Sequence, residues 1–460
     1  MTAKRNTIDM STGALPGKIF RFALPLALTY ILQLAFHAAD MVVIGRWGSP
    51  ESLAAIGATH AILGLLLNIM TGLSTGANVL AAQYYGAKDS KKMTRMVHTT
   101  IAAGIIGGIA VAVLGIATIR FLVTVTGIPE ASQSKSILYL VICFIGAPFQ
   151  IVYNFGCAIL RAVGDTRAPL YFLSLAGTLN VVLNVILVVF FNMDVAGVAI
   201  ATVISQALSA VLVLYRLHNN HGATRLIYRN VRIEKKSLNG ILRIGVPAGV
   251  QSACFSLSNI VVQSGINTFG VSAVAGMTAG MNLEMLLYSL NFAMHHTCIA
   301  VVGQNYGAKE YKRVVRSIYI CMAISTALMV FFGSLMSIFA PQMTRIFSSD
   351  PEVIAFGVMR AHEMFPLYFI LGFMDTSTGA LRGLGNSLLP AISVLLGTCG
   401  LRILWVKYVF PHFGSMESLL MVYPVSWGVV ALLNMALLFV LCCKLVTPRR
   451  DRWVRIPSHN

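Results

Sequence analysis

Long apolar stretches constrain this chain more than any other feature of its sequence. Crossing the hydrocarbon core of a bilayer takes about 20 predominantly apolar residues. Hydrophobic residues make up 57% of the chain and charged residues only 11%, which leaves too little polar surface for a water-soluble globule. We therefore predict an all-α polytopic membrane protein with twelve transmembrane helices, at approximately 17–44, 53–81, 95–119, 136–160, 168–191, 196–216, 241–268, 274–302, 315–340, 353–381, 388–410 and 418–444.

Lys and Arg are distributed unevenly between the two sides of the predicted helices. We place the N-terminus inside and assign the segments between successive helices alternately to the outer and inner sides. With this assignment, 27 of the 34 Lys and Arg residues fall on the inner side. Six fall on the outer side, including Arg402 and Lys407. Because cytoplasmic loops carry an excess of Lys and Arg, we expect both termini in the cytoplasm and explain the net charge of +18 without nucleic acid. The absence of any N-x-S/T sequon favours a prokaryotic cell membrane.

The two halves of the chain repeat each other. QYYGAK, which begins at Gln83, recurs as QNYGAK from Gln304, an offset of 221 residues. At the same offset, LRAVGDTRAP from Leu160 recurs as LRGLGNSLLP from Leu381. Six helices per repeat is an even number, so two six-helix bundles should be related by a pseudo-two-fold axis along the membrane normal.

The repeat also predicts the division into domains. We expect an N-terminal lobe at 1–216, a cytoplasmic linker at 217–240, and a C-terminal lobe at 241–460 that ends in a basic cytoplasmic tail. A cleft between two such lobes suits a solute, and rocking of one lobe against the other would give alternating access.

Polar residues within the predicted helices are candidate functional residues, because an ionisable group in the hydrocarbon costs about 2.5 to 3.5 kcal/mol. In the first helix Gln33, His37 and Asp40 share one face, since their spacing follows the helical repeat. A structural role remains open for His37, as an interhelical hydrogen bond, and for Asp40, as an interfacial carboxylate. Pro25 lies upstream in the same helix, where it permits a kink that could move this face.

A second polar group lies in the fifth and sixth helices, at Asn180, Asn184 and Thr202. Each alone is as well explained as interhelical hydrogen bonding. Together with Asp40, their oxygens match the ligand set of a hard cation such as sodium, or the cluster can hold a proton on Asp40.

The C-terminal half has a one-sided polar stripe in the eighth helix, formed by Glu284, Tyr288, Asn291 and His295. Asp375 lies in the tenth helix, and we expect these five residues, with Gln33 and His37, to line a substrate cavity.

Other features of the predicted helices argue against alternative chemistry. Arg360 and Glu363, three residues apart in the tenth helix, are expected to pair with each other. The adjacent His295 and His296 point to different helix faces, so we predict no metal centre there.

No phosphate-binding loop or dinucleotide fingerprint is visible in the sequence, so we expect no cofactor. We expect the energy for transport to come from an ion gradient instead. An intramembrane enzyme using Asp40 with His37 or Asp375 is the remotest alternative, because no nucleophile motif accompanies them.

These residues carry a likeness to a known family. From about residue 15 to 445, the chain resembles the multidrug and toxic compound extrusion (MATE) transporters in the order of its motifs: Pro25 and Asp40 with VVIGRWG, the duplicated QYYGAK and LRAVGDTRAP segments, and the Asn180, Asn184 and Thr202 group. The resemblance implies two six-helix bundles forming a V. It also implies antiport of organic cations and other drugs against protons or sodium, with no obligate protein partner.

Carried over by residue, the resemblance makes Asp40 the coupling carboxylate, surrounded by Asn180, Asn184 and Thr202, and Pro25 the bending point. Several members have an acidic residue where this chain has Asn184. With one carboxylate instead of two, the cluster offers less negative charge to a sodium ion, which favours protons as the coupling ion. A lipid-linked precursor flippase of the same superfamily is the alternative; such proteins have strongly cationic cavities, whereas Arg and Lys are nearly absent from the middle of the predicted helices here.

Overall fold

The computed structural model of this chain describes residues 7–446, apart from the side chains of residues 60, 61 and 65–67. Within that range, twelve helices are long and apolar enough to cross a membrane. They are α1 Leu15–Trp47, α2 Pro50–Gly86, α3 Ser90–Val125, α4 Glu130–Ala162, α5 Arg167–Phe190, α6 Asp194–His218, α7 Lys235–Phe269, α8 Val271–Gly307, α9 Tyr311–Ile338, α10 Pro351–Gly383, α11 Leu388–Phe413 and α12 Met416–Val446. The predicted all-α fold is confirmed, whereas the predicted basic tail beyond Val446 lies outside the described residues.

Most helices extend beyond their apolar runs, and in three of them a polar residue caps the additional turn at the start. The side chains of Ser49, Asp89 and Ser415 each accept a hydrogen bond from a backbone N–H in the first turn of α2, α3 and α12. Such caps satisfy N–H groups that have no partner within the helix. Hydropathy detects the apolar run and not the capped turn, which explains why the predicted ends fall short.

The chain forms two six-helix lobes, α1–α6 and α7–α12, joined by a connection that contains two short 3₁₀ turns, Gly222–Thr224 and Tyr228–Asn230. The largest core of the C-terminal lobe is built around Tyr368 and Trp427. A second core joins the lobes, because the first half of α1 packs against α8, α9 and α10. Both ends of the described chain, at α1 and α12, lie on one side of the bundle, which we call the termini end; the opposite side is the far end.

The lobes touch closely at the termini end, where α2 crosses α7 and α8. A Cβ atom added to Gly72 would collide with the backbone of Gly249, so α2 and α7 meet without intervening side chains. The duplicated motifs meet in the same way: a Cβ on Gly86 would collide with the carbonyl of Gln304, and a Cβ on Gly307 with the carbonyl of Gln83. Only glycine permits these approaches.

Two hydrogen bonds repeat this reciprocal pattern across the lobes. Gln83 Nε2 donates to the carbonyl of Gly383 at 2.9 Å, and Gln304 Nε2 donates to the carbonyl of Ala162 at 2.8 Å. Each partner is related to its counterpart by the offset of 221 residues. The reciprocity is what a pseudo-two-fold axis between the halves requires, and it is consistent with the predicted symmetry.

Candidate functional site

The N-terminal lobe contains a cavity of about 440 Å³ between α1, α2, α4, α5 and α6, which we call the N-cavity. Five of the predicted site residues line it: Gln33, His37, Asp40, Asn180 and Thr202. Aromatic rings of Tyr30, Phe36 and Tyr153 form part of its apolar wall. The one-sided stripe predicted for α1 therefore faces a real cavity.

Asp40 stands at the head of a row of hydrogen bonds that runs from α1 through α5 to α6. Asn184 Nδ2 donates to Asp40 Oδ1 at 2.5 Å and lies 3.3 Å from Asn180 Oδ1. Asn180 Nδ2 lies 3.4 Å from Thr202 Oγ1. The four residues predicted to act together are thus adjacent, and we call them the Asp40 cluster.

The local backbone of α5 positions the two asparagines of this cluster. Asn180 and Asn184 are one helical turn apart and so share a face. Directly after Asn184 the helix widens into a π-helical segment, Val185–Phe190. Such segments are rare and often mark functional sites. In the C-terminal lobe α11 widens at the corresponding place, Trp405–Val409, so the duplication preserved the feature.

The Asp40 cluster could hold a small cation through its oxygens. Asn184 is fully buried, and its Oδ1 has no hydrogen-bond partner among the described residues. A buried oxygen left unsatisfied costs about 1–3 kcal/mol, which a bound cation would recover. With the carboxylate of Asp40, the donor set suits a hard monovalent ion or a proton. Among the described residues no group of three His, Cys, Asp or Glu could hold a metal ion.

Asp40 also borders a second, smaller cavity of about 170 Å³ on the side of α2 and α4. His37 and Thr202 border both cavities, and the rings of Tyr139 and Phe144 close the smaller one. The carboxylate of Asp40 is therefore accessible from two directions.

A smaller cavity of about 160 Å³ lies between α7, α8, α10 and α11 of the C-terminal lobe, with Asn68 of α2 also lining it, and we call it the C-cavity. Tyr288, His295 and Asp375, three of the residues predicted to line a substrate cavity, line this cavity. Asn291 Nδ2 donates to Asp375 Oδ2 at 2.5 Å, and His295 Nδ1 lies 2.7 Å from the backbone carbonyl of Asp375.

Arg382 closes this network from the termini end. Its Nη1 lies 3.2 Å from His295 Nε2, and its Nη2 donates to Gln251 Oε1 at 2.8 Å. The two charged groups of the C-cavity, Asp375 and Arg382, are therefore each hydrogen-bonded to neighbouring polar side chains, which favours a rigid polar network.

Glu284 lies apart from this network. Its carboxylate receives two hydrogen bonds from Arg360, at 2.6 and 3.1 Å, and both side chains are buried. Glu284 is not among the residues that line the C-cavity. The predicted pairing of Arg360 with Glu363 is wrong, because Arg360 points into the lobe, where α8 supplies a buried carboxylate.

Several arginines are buried, although the middle of the predicted helices is nearly free of Arg and Lys. Four arginines in α4, α10 and α11 are at least nine-tenths buried: Arg161, Arg360, Arg382 and Arg402. Arg402 was assigned to the outer side, but its Nη1 donates to Asn259 Oδ1 at 2.6 Å and its guanidinium lies over the rings of Phe255 and Tyr423. The arginine in the duplicated LR motif could have been recognised from its recurrence in both halves.

Pro25 lies inside α1, which continues without interruption from Leu15 to Trp47. The Thr29 hydroxyl donates to the Pro25 carbonyl at 2.7 Å. Proline removes one backbone hydrogen bond from the preceding turn, which weakens the helix locally. Its role as a bending point stays a prediction.

Comparisons with known proteins agree with this architecture. A family model described as MatE matches residues 25–186 and 247–406, one stretch in each lobe. The "Probable multidrug resistance protein YoeA" of Bacillus subtilis (strain 168) is 27% identical over 429 residues, covering 90% of this chain and 91% of the relative. A Shewanella oneidensis protein named "FAD transporter" is 23% identical over 414 residues, covering 89% of this chain and 91% of that one. A solved structure of a MOP superfamily transporter from Pyrococcus furiosus has the same fold, with a TM-score of 0.88 at 20% identity over 97% of this chain and 100% of that chain.

Proposed function

The chain belongs to the MatE family of multidrug efflux transporters, and we propose that it is a secondary active antiporter that exports organic cations or other drug-like compounds in exchange for protons or sodium. The family match makes it a transporter and not an enzyme. The observation that carries the proposal is the Asp40 cluster, which places one carboxylate, partly exposed, on the wall of the N-cavity.

The antiport follows from the charge on Asp40. When the lobes rock and enclose the cavity, an ionised carboxylate without a counter-charge is strongly unfavourable. A proton, a sodium ion or the cationic group of a cargo molecule can each neutralise it, but they compete for the same oxygens. A transporter that changes state only when Asp40 is neutralised therefore exchanges one for the other. The neutral Asn184 leaves a single carboxylate in the cluster, which favours protons over sodium.

The direction of export rests on the orientation of the lobes. The excess of Lys and Arg on the side of the termini supports a cytoplasmic termini end and a location in a prokaryotic cell membrane. The lobes touch at that end, so the described conformation faces outward. To load cargo, the contacts of Gln83, Gly86, Gln304 and Gly307 must separate, and Pro25 is the proposed point at which α1 bends.

Dye efflux from proteoliposomes tests the antiport. We expect ethidium efflux by the wild-type protein under a proton gradient or a sodium gradient, imposed separately. Asp40→Asn should reduce gradient-driven efflux at least about 100-fold, equivalent to about 2.7 kcal/mol. Asp89→Asn is the matched control, because Asp89 lies outside the cavities as the N-cap of α3 and asparagine caps helices equally well. Wild-type efflux by folded Asp40→Asn would overturn the assignment.

The buried arginines favour one second candidate, the lipid-linked precursor flippase. Such a protein would move a large anionic amphiphile, and its cavity charge should match that cargo. Absence of dye efflux under both gradients in folded wild-type protein, together with translocation of a fluorescent lipid pyrophosphate, would support the flippase. Dye efflux without lipid translocation would exclude it.

A further inference from the structure

Arg161 is a buried cation whose guanidinium has no partner in the part of the chain that the structure describes. It lies in the last turn of α4, lines the N-cavity and is 8% exposed. Its side chain makes no hydrogen bond or ion pair with a described residue, and its Nε is buried and unsatisfied. Asp165, one turn further along the chain, is paired with Arg216 instead, at 2.8 Å. A buried charge without a partner is costly and needs an explanation.

The duplicate of Arg161 in the other lobe shows what is missing. Arg382 has two acceptors, Gln251 in α7 and His295 in α8. The corresponding residues in the N-terminal lobe are Thr29 in α1 and Ser74 in α2, at offsets of 222 and 221 residues. Both line the N-cavity, but both are short.

The hydroxyls of Thr29 and Ser74 are also already in use. Thr29 donates to the carbonyl of Pro25 at 2.7 Å, and Ser74 donates to the carbonyl of Thr71 at 2.8 Å, each within its own helix. The N-terminal lobe has thus kept the arginine of the duplicated motif and lost the long acceptors that bind it in the C-terminal lobe. The space they would fill belongs to the N-cavity.

The two charged residues of the N-cavity, Asp40 in α1 and Arg161 in α4, lie at different depths between the far end and the termini end. Among the described residues that line it, Asp40 alone is acidic. Asp40 lies about two turns before the far end of α1 at Trp47, whereas Arg161 lies in the last turn of α4, at the termini end. The cavity therefore presents a carboxylate toward the far end and a guanidinium toward the termini end, with aromatic rings between them.

We propose that Arg161 binds the anionic group, a carboxylate or phosphate, of a zwitterionic aromatic cargo whose cationic group lies toward Asp40. The planar guanidinium offers two parallel N–H donors, which match either oxyanion. The rings of Tyr30, Phe36 and Tyr153 contact the body of the cargo. This inference rests on the proposed antiport, in which the cationic end of the cargo competes with the coupling ion at Asp40. It adds the requirement that the opposite end of the cargo carries an anionic group.

Equilibrium binding of two matched dyes tests this requirement without any gradient. The probes are a rhodamine with a free carboxylate and the methyl ester of the same dye, measured by fluorescence anisotropy with purified protein in detergent. We expect the wild-type protein to bind the free acid at least about tenfold more tightly than the ester, since a hydrogen bond to a charged group is strong. Arg161→Gln should remove that preference and leave the affinity for the ester unchanged.

Two further variants separate the role of Arg161 from general effects of charge or folding. Arg167→Gln removes an exposed arginine from the same motif and should keep the full preference for the acid. Arg161→Lys keeps the charge but not the paired donors, and it should weaken acid binding severalfold with ester binding intact. If Arg161→Gln does not fold, this lysine variant decides the question.

Three results would overturn the proposal: no preference for the acid in the wild-type protein, a preserved preference in folded Arg161→Gln, or acid binding unchanged in Arg161→Lys. Failure of the antiport is a separate result. Preferential, Arg161-dependent binding of the acid together with no ion-driven transport of either dye would reject the proposed antiport and leave the anion site standing.

Discussion

The two lobes descend from one duplicated sequence, yet their cavities differ in size and in how their charges are satisfied. The N-cavity measures about 440 Å³ and the C-cavity about 160 Å³. In both cavities the carboxylate, Asp40 or Asp375, is partly exposed and accepts a hydrogen bond from an asparagine, but Arg161 has no partner among the described residues, whereas Arg382 is bonded to two side chains. A few substitutions on a shared scaffold have therefore left one lobe open to ligands and the other internally bonded.

The lobes also differ in what holds their far halves together. Glu284 and Arg360 form a buried ion pair in the C-terminal lobe, and the corresponding positions in the N-terminal lobe are Leu63 and Tyr139. Partners of a buried pair depend on each other, because removing one leaves the other charged and desolvated. The far half of the C-terminal lobe thus contains a buried ion pair, whereas the ion pair in the far half of the N-terminal lobe, between Lys135 and Asp194, is partly exposed.

The largest effect that we predict comes from breaking this ion pair. Glu284→Gln should lower the free energy of unfolding by about 3–5 kcal/mol, measured by chemical denaturation in detergent. The double variant Glu284→Leu with Arg360→Tyr introduces the residues of the other lobe and should recover most of that loss. A single variant as stable as wild type, but with altered dye affinity, would instead make Glu284 a cargo-binding residue and break the contrast between the lobes.

The next effect concerns the closed termini end, where the lobes are equivalent. Leucine at Gly86 or at Gly307 should hold the lobes apart, because the side chain would meet a backbone carbonyl of the opposite lobe. Overpacking of this kind costs about 1–3 kcal/mol, so closure should weaken by about tenfold or more. Distances between spin labels on α2 and α8 at that end would report the shift. Gly107→Leu is the control, since a Cβ there meets no atom within 4 Å.

Equal effects of the two leucine variants are the critical outcome of that experiment. If Gly86→Leu opened the termini end and Gly307→Leu did not, the reciprocal packing of the duplicated motifs would not be what closes it.

The smallest effect should come from the two crossing glutamines. Gln83→Ala removes one hydrogen bond between the lobes, worth about 0.5–1.5 kcal/mol, whereas Gln304→Ala removes two, because Gln304 Oε1 also accepts from the backbone N–H of Met10 at 2.9 Å. Gln83→Ala should therefore shift the same spin-label distribution toward the open state by about two- to tenfold, and Gln304→Ala should shift it further. Substitution of Gln133, which bonds only to the nearby Ile128 at the far end, should leave the distribution unchanged. A larger shift in Gln83→Ala than in Gln304→Ala would show that these crossing hydrogen bonds do not set the closure.

Local pattern predicted most of this architecture. Hydropathy located all twelve helices, because the hydrocarbon core demands long apolar runs, and helical spacing placed Gln33, His37 and Asp40 on one cavity wall. The family resemblance brought Asn180, Asn184 and Thr202 to Asp40, and the structure shows them in contact.

The same reasoning could not predict side-chain partners that lie on different helices. Spacing along one helix suggested Glu363 for Arg360, but the carboxylate comes from Glu284 on a different helix, 76 residues away. Arg161 and Arg382 stand where an apolar run meets a loop, so a hydropathy count assigns them to water. Only the packed lobe shows that both are buried and that, among the described residues, only Arg382 has side-chain acceptors.

The most direct test of the central claim measures ethidium affinity in detergent as a function of pH and, separately, of sodium concentration. The account predicts that wild-type affinity falls as the coupling ion rises, up to tenfold per pH unit if one proton competes with one dye. Asp40→Asn should abolish that dependence, and Asp375→Asn should retain it. A preserved dependence in Asp40→Asn, or its loss in Asp375→Asn alone, would contradict the assignment of ion exchange to the N-terminal lobe.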